Sequence, residues 1–177
     1  MINKRLASNV VFKGRIINLR VDEVELPDGR RTTREIVEHP GAVVIMPLSD
    51  DGQVHLVKQY RDAVAETLLE LPAGKLEGEE VPQECARREL AEELGYEAED
   101  LRQLAEFYTS PGFCDEKMYV YLAKGLKKLS KDGDSEEFIE AVSRPLLPLE
   151  GLLEGIRDGK SVAAILLAFR AIEEADK

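Results

Sequence analysis

Between Pro82 and Gly95 the chain reads PQECARRELAEELG, and this segment constrains the fold more than any other. Pro82 suits a first helical turn and Gly95 the position just past the last, so the pair brackets a helix. Ala86, Leu90 and Leu94 recur at four-residue spacing and form an apolar stripe that a core must cover. Glu89, Glu92 and Glu93 stand at i, i+3 and i+4 and project from one face. Three like charges so close repel, and Arg88, four residues before Glu92, offsets part of that cost. Stability alone does not ask for such a face, whereas a hard divalent cation wants several carboxylate oxygens. On its own the pattern admits either reading: a water-facing acidic helix or a metal-binding one.

The flanking sequence sets the fold class. VVFKGRIINLRVDEVEL, a turn at Pro27–Gly29 and TTREIVEH read as strands joined by turn residues. GAVVIMPL (Gly41–Leu48) is a continuous apolar run and predicts a fully buried strand. Val54–Arg61 and Leu68–Leu71 read as further strands before the helix. Strands are expected near Leu104–Tyr108, Lys117–Ala123 and Phe138–Ser143 after it, with Ser130–Glu137 as a polar loop. A short helix from Pro148 to about Ile156 follows. A longer one runs from about Val162 to Glu174, with Ile165, Leu166, Ala168, Phe169 and Ile172 on its core side. Strands, an inserted helix, more strands and terminal helices make a mixed α/β domain without regular βαβ alternation.

Bulk properties exclude several functions. A length of 177 residues with 44% apolar and 33% charged side chains suits one globular domain. The net charge of −11 argues against nucleic-acid binding, which needs clustered Lys and Arg. No run approaches membrane-spanning length. The start of the chain alternates and carries charges, so a cytoplasmic protein is expected. Cys85 and Cys114 cannot make a disulfide framework, and the isolated His39 and His55 read as strand residues rather than ligands.

From Gly74 onward the wider stretch resembles the Nudix box. The matching positions are Gly74, Glu80, Arg88-Glu89, Leu90, Glu92-Glu93 and Gly95, with Tyr96 where an aliphatic residue is usual. The resemblance implies a Nudix α/β/α sandwich with a mixed sheet, here carrying an N-terminal antiparallel β extension. It implies a loop-helix-loop that cradles a nucleoside diphosphate linked to another group. Glu89 and Glu93 would be the principal metal ligands, Glu92 would serve a further ion, and the carbonyl of Ala73 would join them. The metal would be Mg²⁺ or Mn²⁺. Glu80 and Arg88 would brace the loop against the helix.

Two further stretches resemble the ADP-ribose pyrophosphatase subgroup. Pro111 and Gly112, in YTSPGF, lie at the subgroup's distance from the box, although Ser-Pro-Gly also makes an ordinary turn. The acidic loop GDSEEFIE matches one that supplies a glutamate as catalytic base or metal ligand: Glu137 first, Glu136 as its neighbour. Arg61 matches an arginine that contacts the diphosphate or terminal ribose, and the guanidinium suits bidentate phosphate binding. Glu70 resembles a glutamate lining the same pocket, and Glu35 one that reaches the adenosine end. The implied activity is hydrolysis of ADP-ribose to AMP and ribose 5-phosphate. Alternatives are another nucleoside diphosphate sugar such as GDP-mannose, or a non-catalytic nucleotide-sensing module. Residues 1–40 are expected to form a dimerisation extension and residues 41–177 the hydrolase domain, with a homodimer as the assembly.

Overall fold

The computed structural model describes residues 2–129 and 139–175. In chain order the elements are β1 (Lys4–Lys13), β2 (Asn18–Glu25), β3 (Arg31–Glu38), β4 (Ala42–Pro47), β5 (Gln53–Arg61), β6 (Glu66–Glu70) and β7 (Ala73–Lys75). Then come α1 (Pro82–Leu94), β8 (Tyr96–Tyr108), β9 (Lys117–Lys128), β10 (Glu140–Pro145), α2 (Leu149–Leu153) and α3 (Gly159–Ala175). Strands outnumber helices and divide among three sheets, which is the mixed α/β class expected from the sequence. The chain falls into two compact units, residues 1–41 with 107–117 and residues 42–106 with 118–177.

The first unit is an antiparallel sheet in the order β1-β2-β3, with Lys4 opposite Glu25 and Asn18 opposite Glu38. The segment after β8 joins it at the end of β3. Val37 N–H donates to Phe113 O at 2.8 Å, and Asp115 N–H donates to Val37 O at 3.1 Å. Asp22 is buried in this sheet. A hydrogen bond from Ser8, with the neighbouring Arg20 and Arg5, holds its carboxyl below the usual range despite that burial. Every residue of β1 is exposed, including Val10, Val11 and Phe12.

The second unit holds the main core. β4 is buried along its whole length, as its apolar run requires. It pairs in parallel with β9 and antiparallel with β7, within a sheet ordered β7-β4-β9-β8. Val43 and Ile45 pack with Cys85, Ala86 and Leu90 of α1 and with Tyr121 and Ala123 of β9. The helix α3 also packs on β4. A separate antiparallel sheet runs β10-β5-β6.

α1 begins and ends where the sequence placed it. Pro82 opens the first turn behind an extended Val81. Gly95 closes the helix at φ 69° and donates its N–H to Ala91 O at 3.0 Å. Alanine at Gly95 would pay about 1 kcal/mol for that left-handed conformation. Ala86 and Leu90 are buried, and Leu94 packs at the edge of the same cluster.

Several expectations change. The strand foreseen near Leu104–Tyr108 starts at Tyr96, directly after α1, so β8 has thirteen residues. Leu166 was expected on the core side of the last helix but is 46% exposed. A helix turns about 100° per residue, and with Ala164, Ile165 and Ala168 inward the next position faces water. Ala73–Lys75, expected only as a loop, forms a short strand on β4.

Candidate active site

The box residues meet where α1 packs on β7. Ala73 and Gly74 lie opposite Val44 and Val43 of the buried β4, and Ile45 N–H donates to Pro72 O at 2.9 Å. This anchors the backbone that faces the helix. Glu93 Oε2 accepts the Ala73 N–H at 3.3 Å. Glu89 comes closer still: a Cβ added to Gly74 would lie 1.8 Å from Glu89 Oε1. Glycine at position 74 therefore permits the close approach of a carboxylate and does not serve an unusual φ.

Arg88 is the hub of the acidic face. Its Nε and one terminal nitrogen donate to the two oxygens of Glu80, each at 3.0 Å, in a fork. The other terminal nitrogen donates to Glu89 Oε1 at 2.6 Å and Glu92 Oε2 at 3.1 Å. A further bond reaches Lys75 O at 3.2 Å. The brace between Glu80 and Arg88 is thus present, as is the i, i+4 pair with Glu92. Hydrogen bonding to Glu80 holds the Arg88 guanidinium above its usual pKa, and the same bonds hold Glu80 below its own. Glu89 moves the other way: burial raises its carboxyl, and the Arg88 contact does not fully offset the desolvation. Burial also pushes the Cys85 thiol up to about 12, which leaves it an inert core residue.

Glu89 and Glu93 are therefore brought to the β7 backbone, while Glu92 is drawn to Arg88. Among the described residues no group of three His, Cys, Asp or Glu side chains is gathered tightly enough to hold an ion. The side chains on this face offer carboxylate oxygens, with Glu89 buried beside a bare glycine and paired with Arg88. That chemistry fits a hard divalent ion. Glu77, Glu79 and Glu84 are exposed, as befits surface charge.

A second polar cluster lies in the same unit. Arg61, at the end of β5, forks onto Glu70 at the end of β6, with Nε to Oε1 at 2.9 Å and NH2 to Oε2 at 2.8 Å. Glu70 is 1% exposed, and Lys160 of α3 also bonds to its Oε2. Burial alone would raise the Glu70 carboxyl, but the Arg61 hydrogen bonds and the Lys160 charge outweigh it and hold it low. Lys160 carries no motif and was missed from the sequence. The signal available was Asp158 three residues before Ser161, a helix-capping pattern that starts α3 three residues earlier than expected.

The remaining candidates lie either in the first unit or outside the described residues. Glu35 is exposed on β3, and Pro111 and Gly112 are exposed in the turn after β8, all in the first unit. Glu136 and Glu137 lie outside the described residues.

Comparison with known proteins identifies the family. Residues 37–165 match the NUDIX domain, and residues 4–37 match the nucleoside diphosphate sugar hydrolase N-terminal domain. The chain is 43% identical to an ADP-ribose pyrophosphatase of Bacillus subtilis (strain 168), over 92% of this chain and 90% of that one. It is 41% identical to a methanol dehydrogenase activator of Bacillus methanolicus, again over 92% and 90%. A solved structure of an ADP compounds hydrolase superposes with a TM-score of 0.87 at 26% identity, covering 99% of this chain and 96% of that one. With the domain match spanning residues 37–165, the helix face complete and the carboxylates against β7, the chain belongs to the Nudix family.

Proposed function

We propose that the protein hydrolyses the pyrophosphate bond of ADP-ribose, giving AMP and ribose 5-phosphate, with Mg²⁺ or Mn²⁺. The observation that carries this reading is the approach of Glu89 and Glu93 to the Ala73–Gly74 backbone, in a chain whose relatives include an ADP-ribose pyrophosphatase. Glu89, Glu92, Glu93 and the Ala73 carbonyl would hold the metal. A bound divalent ion supplies charge neutralisation at the phosphates and lowers the pKa of water. Arg88 keeps two of the carboxylates in place, and Glu80 in turn orients Arg88. Arg61, with Glu70 fixing its guanidinium, would contact the diphosphate or terminal ribose. Glu137, or its neighbour Glu136, would remove the proton from the attacking water. Glu35, Pro111 and Gly112, which the family resemblance singles out, are further candidates for substrate contact.

The test is turnover of a panel of nucleoside diphosphate sugars with Mg²⁺ and with Mn²⁺. ADP-ribose should show the highest kcat/KM, by about tenfold or more over GDP-mannose. A higher value for GDP-mannose would replace the substrate assignment. No turnover of any compound would favour the nucleotide-sensing alternative.

Residues 1–40 are proposed as a dimerisation extension. Val10, Val11 and Phe12 stand exposed on β1, an edge strand of its sheet, and exposed apolar side chains on an edge strand invite a partner. Light scattering should give twice the mass of one chain. A fully active monomer would refute the assignment.

A further inference from the structure

Lys160 lies outside every motif in the chain, yet its ammonium sits between two carboxylates in the second unit. On one side it bonds to Oε2 of the buried Glu70, the oxygen that also receives the Arg61 guanidinium. On the other side it pairs with Asp158 Oδ2 at 2.9 Å. Asp158 caps α3, accepting Ser161 N–H at 3.0 Å and the Ser161 hydroxyl at 2.5 Å. Ser161 Oγ then accepts the Leu71 N–H at 2.8 Å. The bonds close a ring through Glu70, Lys160, Asp158, Ser161 and Leu71. That ring returns to the residue beside Glu70, on the backbone leading to Ala73 and Gly74.

We propose that Lys160 is a positioning residue for Arg61, acting through Glu70: the first turn of α3 clamps the Glu70 carboxylate, which holds one edge of the Arg61 guanidinium so that the group is presented to substrate at a fixed angle. This rests on the reading of Arg61 as a contact to the diphosphate or terminal ribose. The physical case is one of constraint. Arg61 has 36% of its side chain exposed and carries a long flexible stem. A bidentate fork fixes a guanidinium only as well as the carboxylate beneath it is fixed. Glu70 left with Arg61 alone can rotate with it, whereas a second cation on Oε2, tied to a capped helix, holds that oxygen in place. The alternative is that Lys160 only neutralises a buried charge. It would then affect stability and leave substrate affinity alone.

Steady-state kinetics with ADP-ribose separate the two. Lys160→Met should raise KM about tenfold with kcat within about twofold of the parent, as outer-shell positioning residues do. Lys160→Arg should restore KM, because it keeps a cation of similar reach. Lys160→Gln should fall between them. The double variant Glu70→Gln/Lys160→Met should be no worse than Glu70→Gln, because the proposed influence of Lys160 on Arg61 runs through the Glu70 carboxylate. An unchanged KM in Lys160→Met or Lys160→Gln overturns the inference. So do losses that simply add, or failure of both neutral variants to fold while Lys160→Arg folds, which would make the role structural. Arg61→Ala distinguishes the underlying reading. If it leaves KM unchanged, the substrate contact of Arg61 is wrong. If it raises KM and Lys160→Met does not, only the positioning role is wrong.

Discussion

Glu93→Gln is expected to reduce kcat for ADP-ribose by on the order of a hundredfold to a thousandfold while the fold persists, the scale at which one electrostatic group is lost from a preorganised site. Gln keeps the size of the side chain and an oxygen able to accept the Ala73 N–H, so the contact between α1 and β7 survives. What disappears is one formal charge from the oxygen-donor face. Divalent-metal affinity should fall with turnover, because hard cations select for carboxylate charge as well as oxygen. The metal-free variant should unfold at the same temperature as the parent or slightly higher, since one of three like charges on a helix face has gone. Metal titration followed by calorimetry, with kcat measured at saturating metal, checks both limbs. Unchanged metal affinity and turnover would return the helix to an ordinary acidic surface.

Gly74→Ala should also cost activity, about tenfold less severely and through a different cause. The new Cβ would lie 1.8 Å from Oε1 and 1.9 Å from Cδ of Glu89, so the two cannot coexist in their present positions. The obstacle is the end of a side chain, not backbone. Glu89 can therefore swing away at a modest price, about 1–3 kcal/mol on the scale of small overpacking changes. The swing takes its carboxylate from beside β7 and disturbs its 2.6 Å bond with Arg88. Metal affinity should fall about tenfold to a hundredfold, with kcat/KM following. Thermal melting read beside metal-dependent turnover separates this from simple unfolding. A variant with parental turnover would mean that Glu89 does not act from its place against Gly74.

The two variants illustrate which parts of the site were legible in the chain. Glu89, Glu92 and Glu93 were readable because helical periodicity is local: spacing alone puts them on one face. Gly95 and Pro82 were readable because each has a backbone preference that few contexts override. β4 was readable from its uninterrupted apolar run. Lys160 was not, because its meaning depends on Glu70, ninety residues away in the chain, and no local pattern marks such a pairing. The start of β8 was missed because Glu, Ala and Asp in YEAED are poor strand formers. It pairs only because β9 lies beside it.

The sequence by itself thus determined the class of fold, the helix with its two bounds and the acidic face that the Nudix resemblance interprets. These follow from short-range stereochemistry and fixed spacing. Tertiary structure decided where two of the three carboxylates meet the β7 backbone: Glu89 against Gly74 and Glu93 on the Ala73 amide. It also decided that Glu70 is a buried anion held by two cations from different elements. Charge pairing and desolvation act through space, and only folding brings α3 and the ends of β5 and β6 close enough for those forces to choose partners.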